Sequence, residues 1–147
     1  MARVTHSLVK ALRSVPAFAT LEDGTLLKIV GASSNLFWRA GSDIFDTGSP
    51  SEALYIVLSG AVQVLDTEDE RDREVALIQP GESFGELSLM LQTKHSKTAR
   101  AVEDSELMVI PRDSFTEVLA STPELDAVFQ RRLEERRPLR GDPSSPS

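Results

Sequence analysis

ALYIVLSGAVQVLD, residues 53–66, contains two apolar runs, LYIVL (54–58) and AVQVLD (61–66), on either side of a Ser59-Gly60 turn. Short runs rich in Val, Ile, Leu and Tyr are β-strands, and Val62, Gln63 and Val64 alternate apolar and polar as a half-buried strand does. A Ser-Gly pair between two such runs marks a hairpin. Outward from this hairpin the texture continues through LFWR (36–39), DIFD (43–46), EVALIQ (74–79), TARAV (98–102) and ELMVI (106–110). Turn residues at Gly41, Gly48-Ser49-Pro50, Gln79-Pro80-Gly81 and Glu103-Asp104-Ser105 separate the runs. Many short strands joined by hairpins read as a sandwich or jelly roll over residues 36–110.

One segment interrupts the β pattern. FGELSLML (84–91) places apolar residues at 84, 87, 90 and 91, which predicts a short helix opening at Gly85. Both flanks of the roll are helical in spacing. Before it, 5–13 and 20–30 carry Leu8, Leu12, Leu26, Leu27 and Val30, with Thr20 or Asp23 as caps. After it, 112–121 and 123–137 carry Phe115, Val118, Leu119, Leu125, Val128 and Phe129, with Pro123 suited to a first helical turn. The fold class is therefore mainly β with flanking helices (α+β). A single domain spans 1–137, with helices over 5–30, the roll over 36–110 and helices over 112–137, and the proline-rich segment 138–147 is expected to be disordered.

The 147 residues are 40% hydrophobic, enough for one domain with a real core. A net charge of −7, from 16 basic and 23 acidic residues, has the wrong sign for coating nucleic acid, and no helix-turn-helix unit follows the last helix, so direct DNA binding is not expected. The absence of Cys excludes disulfides, thiolate metal sites and a thiol nucleophile. No apolar run approaches the roughly 18 residues that cross a bilayer, and no signal peptide is read, so neither a membrane nor export is expected and the location is cytoplasmic. His6 and His95 are the only histidines and neither has a partner at ligand spacing, so no metal is expected. Serines lack a G-x-S-x-G setting and there is no phosphate-binding G-x-x-x-x-G-K-[ST] loop. The expectation is a protein without catalytic residues, hence not an enzyme, and without a cofactor.

A helix beginning Gly85-Glu86 presents unpaired backbone N–H groups and the positive end of its dipole to what lies before it, and phosphate is the usual guest there. Gly85 lets a ligand approach the backbone, and Glu86 can accept from a ribose hydroxyl. The local pattern is equally that of a tight turn followed by an acidic residue favoured by the dipole. Of Phe37 and Trp38, one is expected to pack in the core, and DTEDERDRE (66–74) reads as a solvated hairpin tip.

The order of GSDIFDTGSPSEALYIVLSG (41–60), QPGESFGELSL (79–89) and TARAV (98–102) resembles the cyclic nucleotide-binding domain of catabolite activator-type regulators, of the regulatory subunits of cyclic AMP-dependent protein kinase and of nucleotide-gated channels. The resemblance runs from about 15 to 132. It implies that Glu86 holds the ribose 2′-OH and that Gly85, Leu87 and Ser88 offer backbone amides to the cyclic phosphate. Val75 and Leu77 would line the sugar and base. The arginine that grips the phosphate in the family falls on His95, followed by Ser96 and Lys97, so a cation at His95 or Lys97 would take its place, with Lys94 and Arg100 adding positive potential. The family sometimes has a threonine associated with cyclic GMP where Ser96 and Lys97 lie. If His95 meets the phosphate, binding favours its protonated form and weakens as pH rises through about 6.5. The lid of the family falls on the last helix, where Phe129 or Leu133 would cap the base. The implied function is a non-catalytic sensor of cyclic AMP or cyclic GMP that signals through its C-terminal helices to an effector protein. The alternative is a degenerate domain that binds no nucleotide and acts as a protein–protein scaffold.

Overall fold

The computed structural model describes residues 2–15, 18–67, 71–85, 89 and 93–136, with the backbone alone at 2–7 and 132–136. Helices α1 (Ala2–Arg13) and α2 (Asp23–Ala32) precede strands β1 (Ser34–Trp38), β2 (Asp43–Phe45), β3 (Ala53–Ser59), β4 (Val62–Asp66), β5 (Arg73–Ile78), β6 (Ser83–Phe84), β7 (Thr98–Ala101) and β8 (Ser105–Pro111). Helices α3 (Arg112–Ser121) and α4 (Pro123–Arg136) follow. The strands form two four-stranded antiparallel sheets, ordered β1-β8-β3-β6 and β2-β7-β4-β5. The expected tail at 138–147 lies outside the described residues.

Strand β3 shows how an all-apolar run serves two cores. Alternate side chains of a strand point to opposite faces. Leu54 and Ile56 pack on the helix side with Leu12, Phe18, Leu26, Ile29, Met108, Phe115 and Phe129, whereas Ala53, Tyr55 and Val57 face the roll interior with Val62, Phe84, Ala99 and Leu107. The β3–β4 hairpin turns at Gly60, whose φ of +89° suits glycine and whose absent Cβ would stand 2.6 Å from the Asp104 carbonyl oxygen. Ser105, fully buried, accepts the Ala61 N–H at 3.1 Å and ties that turn to β8.

The helix boundaries differ from the pattern reading before the roll: α1 begins at Ala2 rather than at residue 5, and α2 spans Asp23–Ala32 rather than 20–30. Residue 22 rather than 20 or 23 is the N-cap of α2, in extended conformation and without a side-chain cap bond. The chain first makes tight turns, with Phe18 N–H bonded to Val15 O and Leu21 N–H to Phe18 O, so helical spacing at 20–22 is not helix. Asp23 instead pairs with Arg13 across the α1–α2 corner. Strand β6 was not legible as a strand, since two residues are too few to show alternation. Trp38 packs on the roll core while Phe37, its neighbour on β1, is 65% exposed. No helix among the described residues is long and apolar enough to cross a membrane.

Candidate functional site

Sheet pairing sets one row of side chains across the second sheet. Phe45 lies opposite Ala99, Ala99 opposite Val64 and Val64 opposite Ala76, so these four share the interior face. Ala99 is fully buried, but Val64 and Ala76 are only half-buried, so the interior face is open toward β5. Val75 sits at the bulge between the pairs Val64–Ala76 and Leu65–Glu74 and is 42% exposed. Leu77 pairs with Gln63, which pairs with Arg100, and these three share the opposite, outer face. The structure therefore does not bring Leu77 to the interior, where the resemblance had placed it: a parity one residue off turns a side chain to the other face. Val64 and Ala76 share the interior face instead. The alternation in AVQVLD carried the signal for Val64.

Gly85 follows β6 with φ +88°, and a Cβ there would stand 3.3 Å from the Tyr55 ring. Glycine is required on both counts. Its carbonyl accepts the Leu89 N–H at 3.2 Å, a helical bond, and Leu89 is buried in the helix-side core. Glu86, Leu87 and Ser88 lie outside the described residues.

Four rings stand between Gly85 and β2. Tyr55 and Phe84 stack at 5.2 Å, and Phe45 lies 5.6 Å from Tyr55 and 5.9 Å from Phe84. The fourth ring is His95, parallel to Phe45 within 4° at 3.5 Å between centroids. His95 is 4% exposed, and its Nε2 has no hydrogen-bond partner. Burial pushes its pKa down to about 4, so the imidazole is neutral near pH 7. As placed, His95 is therefore not the cation that the sequence reading supplied to a phosphate. Its backbone is held from both sides: His95 N–H donates to Ser49 O at 2.9 Å, Gly48 N–H donates to His95 O at 2.8 Å, and Pro50 bridges Lys94. The chain bends at Ser96 and Lys97, so the alternation that aligned His95 with Lys97 is broken, and Lys97 is half-buried.

Arg100 is not available to the pocket either. Its Nε donates to Asp43 at 2.7 Å and its Nη1 to Asp72 at 3.5 Å, on the outer face. A chain of hydroxyls that sequence reasoning did not single out joins two loops to the start of β7: Thr98 Oγ1 accepts the Thr47 N–H at 3.0 Å and lies 2.9 Å from Thr47 Oγ1, which lies 2.8 Å from Thr67 Oγ1. Phe129, expected as a lid, is fully buried, 6.1 Å from Phe18 and edge-on to Phe115 at 5.1 Å. It is a core residue, because helical spacing does not distinguish a lid face from a packing face. The side chain of Leu133 lies outside the described residues. Among the described residues no group of three or more metal-ligating side chains gathers.

A family model described as the cyclic nucleotide-binding domain matches residues 36–122. The cyclic AMP receptor protein of Thermus thermophilus is 39% identical over 100 residues, which cover 65% of this chain and 46% of the relative. The chain thus spans less than half the length of that relative. In three dimensions it is similar to the sensor domain of the transcriptional regulator DNR from Pseudomonas aeruginosa, with a TM-score of 0.86, 22% identity and coverage of 96% of this chain and 95% of that one. It is also similar to the regulatory domain of Toxoplasma gondii PKA crystallised with cAMP, with a TM-score of 0.78, 25% identity and coverage of 95% and 54%. The likeness at 22% speaks for the fold, a β roll with flanking helices.

Proposed function

This chain belongs to the cyclic nucleotide-binding domain family, and from that premise we propose that it is a non-catalytic sensor of cyclic AMP or cyclic GMP that passes a movement of its C-terminal helices to a partner protein. The ligand sits in the open side of the roll, against Val64 and Ala76, with its cyclic phosphate at the amides of Gly85, Leu87 and Ser88 and its ribose on Glu86. The observation that carries the reading is the Gly85–Leu89 junction. Gly85 stands over the ring cluster of the roll interior, while Leu89, four residues on, is packed with Phe115, Leu125 and Phe129 in the core beneath α3 and α4. A ligand that shifts the cassette backbone therefore moves a side chain embedded in the helix-side core, and interlocked packing transmits such shifts rather than absorbing them. The output is a change in how α3 and α4 lie on that core. A Toxoplasma relative crystallised with cAMP supports the choice of ligand class.

The test is isothermal titration of the protein with cyclic AMP and cyclic GMP, with Glu86→Ala as the site control. Binding of at least one nucleotide, lost in Glu86→Ala, is the expected result. No binding up to millimolar concentration would favour the alternative, a scaffold that docks a protein through its helices.

A further inference from the structure

Buried polar side-chain atoms are nearly always hydrogen-bonded. Among the described residues three are not, Ser51 Oγ, Ser96 Oγ and His95 Nε2, and all three fall on the two segments joined at the Pro50–Lys94 bridge. Ser51 and His95 are 3% and 4% exposed. Three unpaired groups at one bridge mark a place built to meet a polar guest. Yet the imidazole lies flat on Phe45, where burial leaves it uncharged, with the pKa near 4. Its main chain is fixed through Gly48 and Ser49, whereas the ring is packed on Phe45 with its Nε2 unpaired, so that turning it about its side-chain torsions breaks no hydrogen bond at that nitrogen.

The charged groups around the ring do not supply the missing charge. Asp43 and Asp46, on and after β2, are engaged with Arg100 and with each other. Glu52 precedes β3 and, after burial, adds to the upward shift of the Tyr55 hydroxyl, and its carbonyl accepts the Arg112 N–H at 2.8 Å. Lys94 and Lys97 flank the ring on its own segment, and Arg100 of β7 is paired. None of these moves the titration of His95, which burial alone sets. Glu86 lies outside the described residues.

We propose, resting on the sensor reading above, that an anionic ligand engages this site by drawing the His95 ring off Phe45 and onto a proton, so that each nucleotide bound brings one proton to this residue. In the free protein the ring is a neutral plug in the aromatic cluster. In the complex it is an imidazolium donating a charge-assisted hydrogen bond to the phosphate, with the unpaired hydroxyl of Ser96, next in the chain, able to donate as well. The His95 for Arg exchange at the phosphate position thus converts a permanently charged grip into one made on binding. Because the bound form holds a proton that the free form lacks, affinity falls as pH rises, by up to about tenfold per pH unit between the pKa of the free ring and that of the bound ring, and is level above the latter.

Calorimetric titration with cyclic AMP and cyclic GMP between about pH 5.5 and 8, repeated in buffers of different ionisation enthalpy, reads the affinity and the protons taken up together. The expected result is tightening toward acid pH with uptake approaching one proton per nucleotide. His95→Arg is expected to bind more tightly with no pH dependence, and His95→Gln weakly with none. In the wild-type protein the His95 ring-proton resonance, shielded by Phe45, is expected to move downfield as nucleotide is added. Binding that is level with pH, without proton uptake, overturns this inference and leaves the sensor reading standing. No binding of either nucleotide across that range overturns both.

Discussion

On the helix side of the first sheet, Leu54, Ile56, Met108 and Phe129 are fully buried and every buried member of the core is apolar. On the roll side of the same sheet, Tyr55 and Val57 pack with Val62, Phe84, Ala99 and Leu107, and half-buried Phe45 at that core stacks on a histidine whose Nε2 is unpaired. The two cores take alternate residues of β3, so the difference is not one of local sequence hydrophobicity. The helix side is an apolar cluster. The roll side sets aromatic rings against a buried histidine nitrogen without a partner, and a buried polar group that costs stability without any return in packing is where a site is sought.

The contrast predicts that truncation costs most on the helix side. Phe129→Ala removes a fully buried ring that meets both Phe18 and Phe115, and a loss of about 3–5 kcal/mol is expected in urea unfolding. Phe45→Ala, in the half-open roll core, is expected to cost less, since part of the void it leaves is solvated. An equal or larger loss for Phe45→Ala would break the contrast.

The histidine sharpens it from the other side. Unfolding returns His95 to an ordinary pKa of about 6.5, whereas burial in the fold holds it near 4. The unfolded chain therefore binds the extra proton between those values, and stability is lost as pH falls from about 6.5 toward 4, by a total of about 3 kcal/mol, and is level above that window with respect to this residue. His95→Phe keeps a ring on Phe45 and removes both the titration and the orphan nitrogen. It is expected to unfold at higher urea than wild type at pH 5, with a smaller advantage at pH 7.5. The same pH response in His95→Phe as in the wild type would assign the acid loss to carboxylates instead.

Much of this was readable from residues. Strand runs, turn glycines and the Gly85 break gave the roll, and alternation in β3 already implied two apolar faces. What sequence did not carry was parity across a bulge: Leu77 and Val75 share a spacing, but the extra residue in β5 and the pairing with Gln63 send Leu77 outward. Nor did it carry the state of a titratable group. His95 beside Lys94, Lys97 and Arg100 reads as a basic cluster, yet the fold stacks the first on Phe45 and spends the last on two aspartates. Charge neutralisation of that kind is set by neighbours distant in sequence, Asp43 and Asp72, that no local window contains.

The smallest effect belongs to that outer face. Arg100 is one-third exposed and its contact with Asp72, itself 47% exposed, is 3.5 Å long, so solvent screens most of the attraction and two flexible side chains lose entropy to make it. Asp72→Ala is expected to change stability by less than about 0.5 kcal/mol, and by nothing measurable in high salt. It also leaves Arg100 bound to Asp43 alone, at 2.7 Å, still on the face opposite Phe45 and Val64. Nucleotide affinity is therefore expected to be unchanged in Asp72→Ala. A marked gain in affinity, measured by titration beside the wild type, would mean that the freed guanidinium reaches round to the interior, and that the two faces of the second sheet are not as separate as the strand register makes them.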